Sequence, residues 1–523
     1  MRFNPLYKID AYKLDHRRQY PDGTTEVLSN FTPRNSRIES IDKVVFFGLQ
    51  AFLDDLAQSF QYDFFERDVD EVCREYEQNA LEILGPNDIG SDHFRALHKL
   101  GYLPLEIRAL PEGTKVPLRV PMFTVRNTVD EFAWLVNYFE TLVSAEVWLP
   151  CTSATTANHL RELLVDWAEK TGTPLDAVNF QAHDFSYRGM TSTDSAAASG
   201  AGHLLSFLGS DTLPAKEWAK WHYDAKEPIL LSVAATEHSV MCAGGAGQDE
   251  EFETYQRLLN LYPVGILSVV SDTWDLWNVI TNYLPRLKDQ IMGRDGKLVI
   301  RPDSGDPADI LCGLNTHPDF LRNESPVTGS PEELGVIELL WEIFGGTINE
   351  KGFKVLDPHI GAIYGDSITY DRADDICRRL AAKGFASGNV VFGTGSFSYQ
   401  GAYVEKGKLA VITRDLFGFA MKATNAVVNG VNKAIFKDPI TDDGTKKSAR
   451  GRIAVSYDPV KGFELKDELS QEELDWLDDI NNNWLVPVWV DGVFVRRYSF
   501  DQVKKNMRYA LPQVAVHQSL LVD

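Results

Sequence analysis

The sequence has no excess of positive charge: 52 lysines and arginines stand against 75 aspartates and glutamates, a net charge of −23. Without a basic excess there is nothing to displace the counterions of a polyanion, which argues against nucleic acid and anionic membrane as partners. A local cluster of arginines in an acidic chain still holds a phosphate. Cysteine is scarce too. Cys73, Cys151, Cys242, Cys312 and Cys377 are scattered without any CxxC spacing. That argues against a disulfide framework or a thiolate zinc site and fits a reducing cytoplasm. No apolar run reaches the roughly 18–20 residues of a membrane helix. The opening MRFNPLYKIDAYKLDHRRQYP lacks the apolar core of a signal peptide. A soluble, cytoplasmic protein is expected. Low-complexity tracts, heptad arrays and short-period repeats are missing as well.

What is present is an ordinary globular composition, 44% hydrophobic and 24% charged over 523 residues, long enough for two or three domains. Residues 1–149 mix helical spacing, as in DKVVFFGLQAFLDDLAQSF, with strands such as LPLEIRAL. Past about residue 178 short apolar strands alternate with helical segments, the pattern of βα units on a parallel sheet. The expected domains are an N-terminal α+β part (1–149), an irregular (β/α) barrel-like catalytic part (150–425) and a mainly β part (426–523). The last is expected to pack with the first as a second domain, with a hairpin turning at Asp491–Gly492. A barrel is favoured over a doubly wound sheet because polar clusters recur after many strands rather than at one switch point.

Those clusters carry the chemistry. In LVIRPDSGDP an apolar strand ends in Arg301, Asp303 and Asp306, either a salt bridge or a site for a ligand with phosphate and hydroxyl groups. VVFGTGSFS offers Gly393 and Gly395, followed by Ser396, and YGDSIT offers Gly365 and Asp366. Each suits backbone amides closing round a phosphate, or simply a tight turn or helix cap. AATEHS sets His238 beside Glu237, a base or nucleophile at a strand end, with Asp275 of SDTWD as a candidate to orient the ring. Ser271 and Asp272 lie in the same loop, Asp272 equally readable as a cap. HDFSYRG joins Phe185 to Arg188, suiting a flat ring next to an anion. Asp211 of GSDT is an acceptor for an amide N–H, or a cap. Together the loops describe a ligand with phosphates, a sugar diol and a flat ring. A glycosidase barrel fits less well, since its chemistry rests mainly on paired carboxylates.

These ordered motifs, from DAYKLDHRRQYP (10–21) through HDFSYRG, GSDT, AATEHS, VVSDTWD, VIRPDSG, YGD, FGTG and TRDLFGFAMK (413–422) to YSFDQVKKN (498–506), resemble the nicotinamide phosphoribosyltransferase family over nearly the whole chain. The resemblance implies transfer of phosphoribosyl from phosphoribosyl pyrophosphate to nicotinamide, with Mg2+ on the pyrophosphate. It also implies a homodimer with active sites at the subunit interface. Phe185 would stack on the pyridine ring, with Tyr12 of the other subunit opposite. Asp211 would accept from the carboxamide, with Ser271 nearby. Arg188 and Arg301 would meet the pyrophosphate or ring, and Asp303 the ribose hydroxyls. Gly365, Asp366 and Gly395 would hold the ribose and its 5′-phosphate, and Arg414 and Lys422 would reach in from the partner. His238 corresponds to the family's histidine that ATP phosphorylates. Ser396 and Phe397 stand where glycine is expected, and Ala420 where a serine is. The rivals are a nicotinate-using enzyme of the same fold, disfavoured by a carboxylate at 211, and a non-catalytic nucleotide-binding or signalling protein.

Overall fold

The computed structural model describes residues 4–245, 247–317, 328–365, 368–436 and 449–515. The chain forms two compact units, one of residues 1–155, 218–226 and 413–523, the other of residues 156–217 and 227–412.

The second unit is built on seven parallel strands: β1 (Ala182–Asp184), β2 (Gly209–Ser210), β3 (Ala234–Ala235), β4 (Val264–Val270), β5 (Asp295–Arg301), β6 (Ile360–Tyr364) and β7 (Val390–Thr394). Their order is β2-β1-β7-β6-β5-β4-β3, every pairing parallel. The sheet curls until its edges meet. Leu231, three residues before β3, forms a parallel bridge with Gly209 of β2, while Ala234 and Ala235 pair with β4. Residues 231–235 therefore serve both edges, and the recurrence of polar clusters after many strands has its cause in a ring.

Residues of one strand alternate between the ring's interior and its helical coat. On β5, Leu298 and Ile300 are fully buried in the outer core, while Lys297, Val299 and Arg301 face a central cavity. The outer core also takes Tyr255 and Leu258 of α1 (Gln248–Leu261), Leu287 and Ile291 of α2 (Leu284–Met292), Ile337 and Leu340 of α3 (Val336–Phe344) and Ile376 and Leu380 of α4 (Tyr370–Ala382). One face packs under the helices and the other lines the cavity with mostly apolar side chains, which explains why these strands read as apolar runs.

The first unit centres on a seven-stranded antiparallel sheet. Its order is 431–434, 420–428, 24–32, 123–127, 105–109, 486–490 and 493–494. N- and C-terminal parts of the chain thus interleave strand by strand. The expected 150–425 segment differs from the observed unit at three places. Residues 413–425 belong to the first unit because 420–428 pairs with 24–32. Residues 218–226 belong there too, and the 149/150 boundary falls inside the helix Glu140–Thr171. The hairpin turns where expected, with Asp491 and Gly492 both at positive φ (52° and 86°), the type I′ conformation that favours Asp-Gly.

Within the same unit the buried carboxylate of Glu112 closes the start of helix Leu49–Phe60. It accepts from the backbone N–H of Gly48 (2.9 Å) and Gln50 (2.7 Å) and from the Tyr223 hydroxyl (2.7 Å). Those amides would otherwise be orphan donors of the first turn.

Candidate active site

The ring of strands encloses a cavity of about 480 Å3. At the C-terminal ends of the strands it is bordered by Phe185, His183, Asp211, Ser232 and Arg301. The ring of Phe185 lies 4.7 Å, centre to centre, from that of His183. The Arg301 guanidinium sits 5.7 Å from the Phe185 ring centre, at cation–π range, and its Nε is buried without a hydrogen-bond partner. Phe185 is held by its N–H to Thr394 O (2.9 Å). Asp184, fully buried, fastens the turn that follows by accepting from Ser186 N (2.8 Å).

Asp211 is an ionised acceptor. His183 Nε2 lies 3.1 Å from its Oδ1, and the Ser232 hydroxyl donates to the same oxygen. Burial works to push its carboxyl up, but those two hydrogen bonds and the charges of His183 and Arg301 outweigh it and hold the group below the usual carboxylate range. His183 and Ser232 were not singled out in the sequence. The signal for His183 was its position two residues before Phe185, on the same face of a strand.

The end of β5 is organised by Asp272. Its Oδ2 accepts from the N–H of Asp303 and of Ser304, both at 2.7 Å. Its Oδ1 is buried without a hydrogen-bond partner and lies 3.8 Å from His238 Nε2. His238 is half exposed at the start of the short helix His238–Ala243, with Glu237 before it accepting from the Ser239 hydroxyl. Asp272, then, is the carboxylate beside the histidine, not Asp275. Asp275 caps the next helical segment, accepting from Asn278 N at 3.0 Å. Ser271 is also reassigned. It is fully enclosed, its hydroxyl taken up by Tyr255, Val269 O and the N–H of Arg301; on the same strand it is Ser268 that lines the cavity. Asp306, open in the sequence, caps the helix Pro307–Cys312 through Ala308 N and Asp309 N.

Gly365 lies against this cluster: a Cβ there would come within 2.9 Å of Asp303 Oδ1 and 3.6 Å of Arg301 Nε. Asp366 falls outside the described residues. Gly395 has open space where a side chain would project, and the Ser396 side chain lies over Gly189. Arg188 is exposed beside it. The remaining candidates belong to the first unit. Tyr12 is exposed and donates to Asp10 (3.2 Å), Arg414 is exposed and bonds Asp415 (3.1 Å), and Lys422 bonds Glu140 (2.6 Å).

The arrangement gathers a flat ring, an ionised acceptor, an unpaired guanidinium nitrogen, a histidine and carboxylates at one end of a barrel. Comparison with known proteins shows the family. A profile of the nicotinate phosphoribosyltransferase (NAPRTase) family matches residues 180–476, and one of the nicotinamide phosphoribosyltransferase N-terminal domain matches residues 4–106. The chain is 46% identical to nicotinamide phosphoribosyltransferase of Acinetobacter baylyi over 523 residues, 98% of each. It is 36% identical to nicotinamide phosphoribosyltransferase of Mycoplasma pneumoniae over 464 residues, 86% of this chain and 95% of that one. Among solved structures, nicotinate-nucleotide pyrophosphorylase from Pyrococcus furiosus aligns with a TM-score of 0.52 at 13% identity, over 97% of this chain and 95% of that one, a likeness of fold. On the site and on near-full-length identity together, this chain belongs to the nicotinamide phosphoribosyltransferases, enzymes of NAD salvage.

Proposed function

We propose that this enzyme joins nicotinamide to the ribose C1 of phosphoribosyl pyrophosphate, releasing pyrophosphate and forming nicotinamide mononucleotide. The observation that carries the choice of base is Asp211, an ionised carboxylate at the mouth beside Phe185. It accepts from a carboxamide N–H and repels the carboxylate of nicotinate. Phe185 stacks on the pyridine, and Arg301, with an unpaired Nε, answers the charge of the departing pyrophosphate. Asp303 takes the ribose hydroxyls, and the loops at Gly365 and Gly395 take the 5′-phosphate. The chain's part is to hold the ring nitrogen in line with C1 as the C1–O bond breaks.

Magnesium accompanies the pyrophosphate in this reading. Asp272 Oδ1, a hard oxygen without a hydrogen-bond partner, and the carboxylate of Asp303 suit such an ion. Its chemistry is neutralisation of the diphosphate. Mg2+ needs only one or two carboxylates when phosphates supply the rest. ATP would pass its γ-phosphoryl group to a ring nitrogen of His238, releasing ADP and coupling its hydrolysis to synthesis, and the phosphohistidine would add acceptor oxygens near Asp272. Tyr12, Arg414 and Lys422 act from the second subunit of a cytoplasmic homodimer.

The test is incubation with phosphoribosyl pyrophosphate and an equimolar mixture of nicotinamide and nicotinate, with and without ATP. Nicotinamide mononucleotide is the expected product. Preferential consumption of nicotinate overturns the choice of base.

A further inference from the structure

The loop that follows β7 is fastened from three sides by consecutive side chains. Past Gly395 the chain enters a wide helical turn, Phe397–Gly401, with Ser398 N–H donating to Gly395 O (3.1 Å). The Ser398 hydroxyl donates to Ile368 O, beyond the end of β6. Tyr399 is buried, and its hydroxyl meets His203 Nδ1 at 2.5 Å. The Gln400 amide donates to Gly189 O (3.1 Å) and accepts from Thr191 N–H (3.1 Å), both in the loop after β1. One short segment thus grips the loops after β6 and β1 and, through the histidine, the strand β2.

His203 is the fixed end of the central tie. It lies on the helix Thr193–Leu204, fully buried, its ring stacked on that of Phe207 at 5.1 Å. Its Nε2 is 2.9 Å from Gly209 O, which can only accept, so Nε2 carries the proton. Burial lowers the ring's affinity for a second proton and keeps it neutral. Nδ1 is then an acceptor, and the Tyr399 hydroxyl is its donor. Two hydrogen bonds in series therefore run from the loop after β7 to Gly209, two residues before Asp211.

A loop that closes round a ligand gives up conformational entropy on binding. Here Ser396 and Phe397 already narrow the backbone's freedom, and the three side chains that follow fix it from separate directions. We infer that Ser398, Tyr399 and Gln400 are positioning residues, which hold the loop at Gly395 in its ligand-binding shape before the sugar phosphate arrives. The inference rests on the reading that this loop takes the 5′-phosphate. It assigns the three side chains to the loop and not to the ligand.

Tyr399→Phe keeps the ring and removes the donor. In the ligand-free full-length variant, the amides of 395–401 are expected to exchange with deuterium about tenfold faster than in the wild type, with those of β5 unchanged. Ribose 5-phosphate, titrated by calorimetry, is expected to bind roughly fivefold more weakly, the size of one net hydrogen bond. KM for phosphoribosyl pyrophosphate should rise by the same factor while kcat stays within about twofold. Gln400→Ala, at a half-buried position, should behave alike and carries the test if Tyr399→Phe fails to fold. Ser398→Thr keeps the hydroxyl and has a small cavity beside it for the methyl, so it should match the wild type where Ser398→Ala does not. A fall in kcat at unchanged KM, faster exchange in β5 as well, or wild-type affinity in both Tyr399→Phe and Gln400→Ala overturns the inference. Wild-type protein that fails to bind ribose 5-phosphate overturns the phosphate reading itself, and the inference with it.

Discussion

Asp272 faces His238 with one carboxylate oxygen, 3.8 Å from Nε2, while its other oxygen holds the backbone of Asp303. One side chain therefore faces the histidine and holds the turn that follows β5. Asp272→Ala is expected to lose ATP coupling and to raise the KM for phosphoribosyl pyrophosphate together. Asp275→Ala should cost only its cap, about 1 kcal/mol of stability, with coupling intact. Comparing ATP hydrolysed per nucleotide formed in the two variants decides it. Equal loss in both would return Asp275 to the site.

Asp211→Asn should lower kcat/KM for nicotinamide by roughly tenfold, as expected for a weakened charge-assisted hydrogen bond. It should narrow the preference over nicotinate by more, since the repulsion disappears as well. Because the carboxyl is held below its usual range, it stays charged as pH falls to and below an ordinary carboxylate's midpoint. Its contribution is present above that midpoint, about 3.9, and is lost only as pH falls through the lowered value. The wild-type KM for nicotinamide should therefore show no rise on the acid side attributable to Asp211 down to about pH 5. A rise centred near pH 6 would point to another group.

Ser396 occupies the space above Gly189, where an added Cβ would come within 2.5 Å of the Ser396 Cβ. Gly189→Ala should displace the phosphate loop and reduce kcat/KM for phosphoribosyl pyrophosphate by roughly tenfold. Adding Ser396→Gly should restore most of it, a coupling expected of residues in contact. Additive losses in the double variant would show that the two positions act separately.

Glu112, buried in the first unit, has its carboxyl pushed up to about 7, chiefly by burial and against the hydrogen bonds it accepts. Its unfolded value is about 4.3, so the folded protein binds the proton more tightly. The stabilisation this confers is complete below the unfolded value and is lost as pH rises through about 7. Glu112→Gln should flatten that part of the stability profile, removing a slope on the order of 3 kcal/mol between pH 4 and 8. It should also leave a buried donor facing a donor. Urea denaturation across this range measures both effects.

The polar groups at strand ends were legible because each βα unit repeats the same grammar, an apolar run followed by a turn. Asp211, Arg301 and Asp303 could be read that way. The choice between Asp272 and Asp275 could not, because two carboxylates three residues apart in one loop differ only in direction. One turns back toward the turn after β5, while the other caps the helix ahead. Ser271 misled for a related reason. Its place at a strand end suggested exposure, but the alternation of the strand turns it outward under Tyr255. Lys297 stands just before an apolar run, and nothing local shows that it faces the cavity past a neighbouring glycine. The exchange of strands between N- and C-terminal parts in the first unit is a long-range pairing, which no local pattern encodes.

The short segment 231–235 has a mechanical consequence. Six of the seven junctions in the ring are strand ladders, but the seventh rests on Leu231 exchanging backbone hydrogen bonds with Ser210 (3.1 Å) and Leu208 (2.8 Å). A closed hoop yields at its weakest seam, and this one borders the cavity. Amide hydrogens of Ser210 and Leu231 should exchange with deuterium sooner than those of β5 or β6, and a ligand spanning the seam should slow them. The barrel would then breathe along a single stitch while the rest of its wall stays intact.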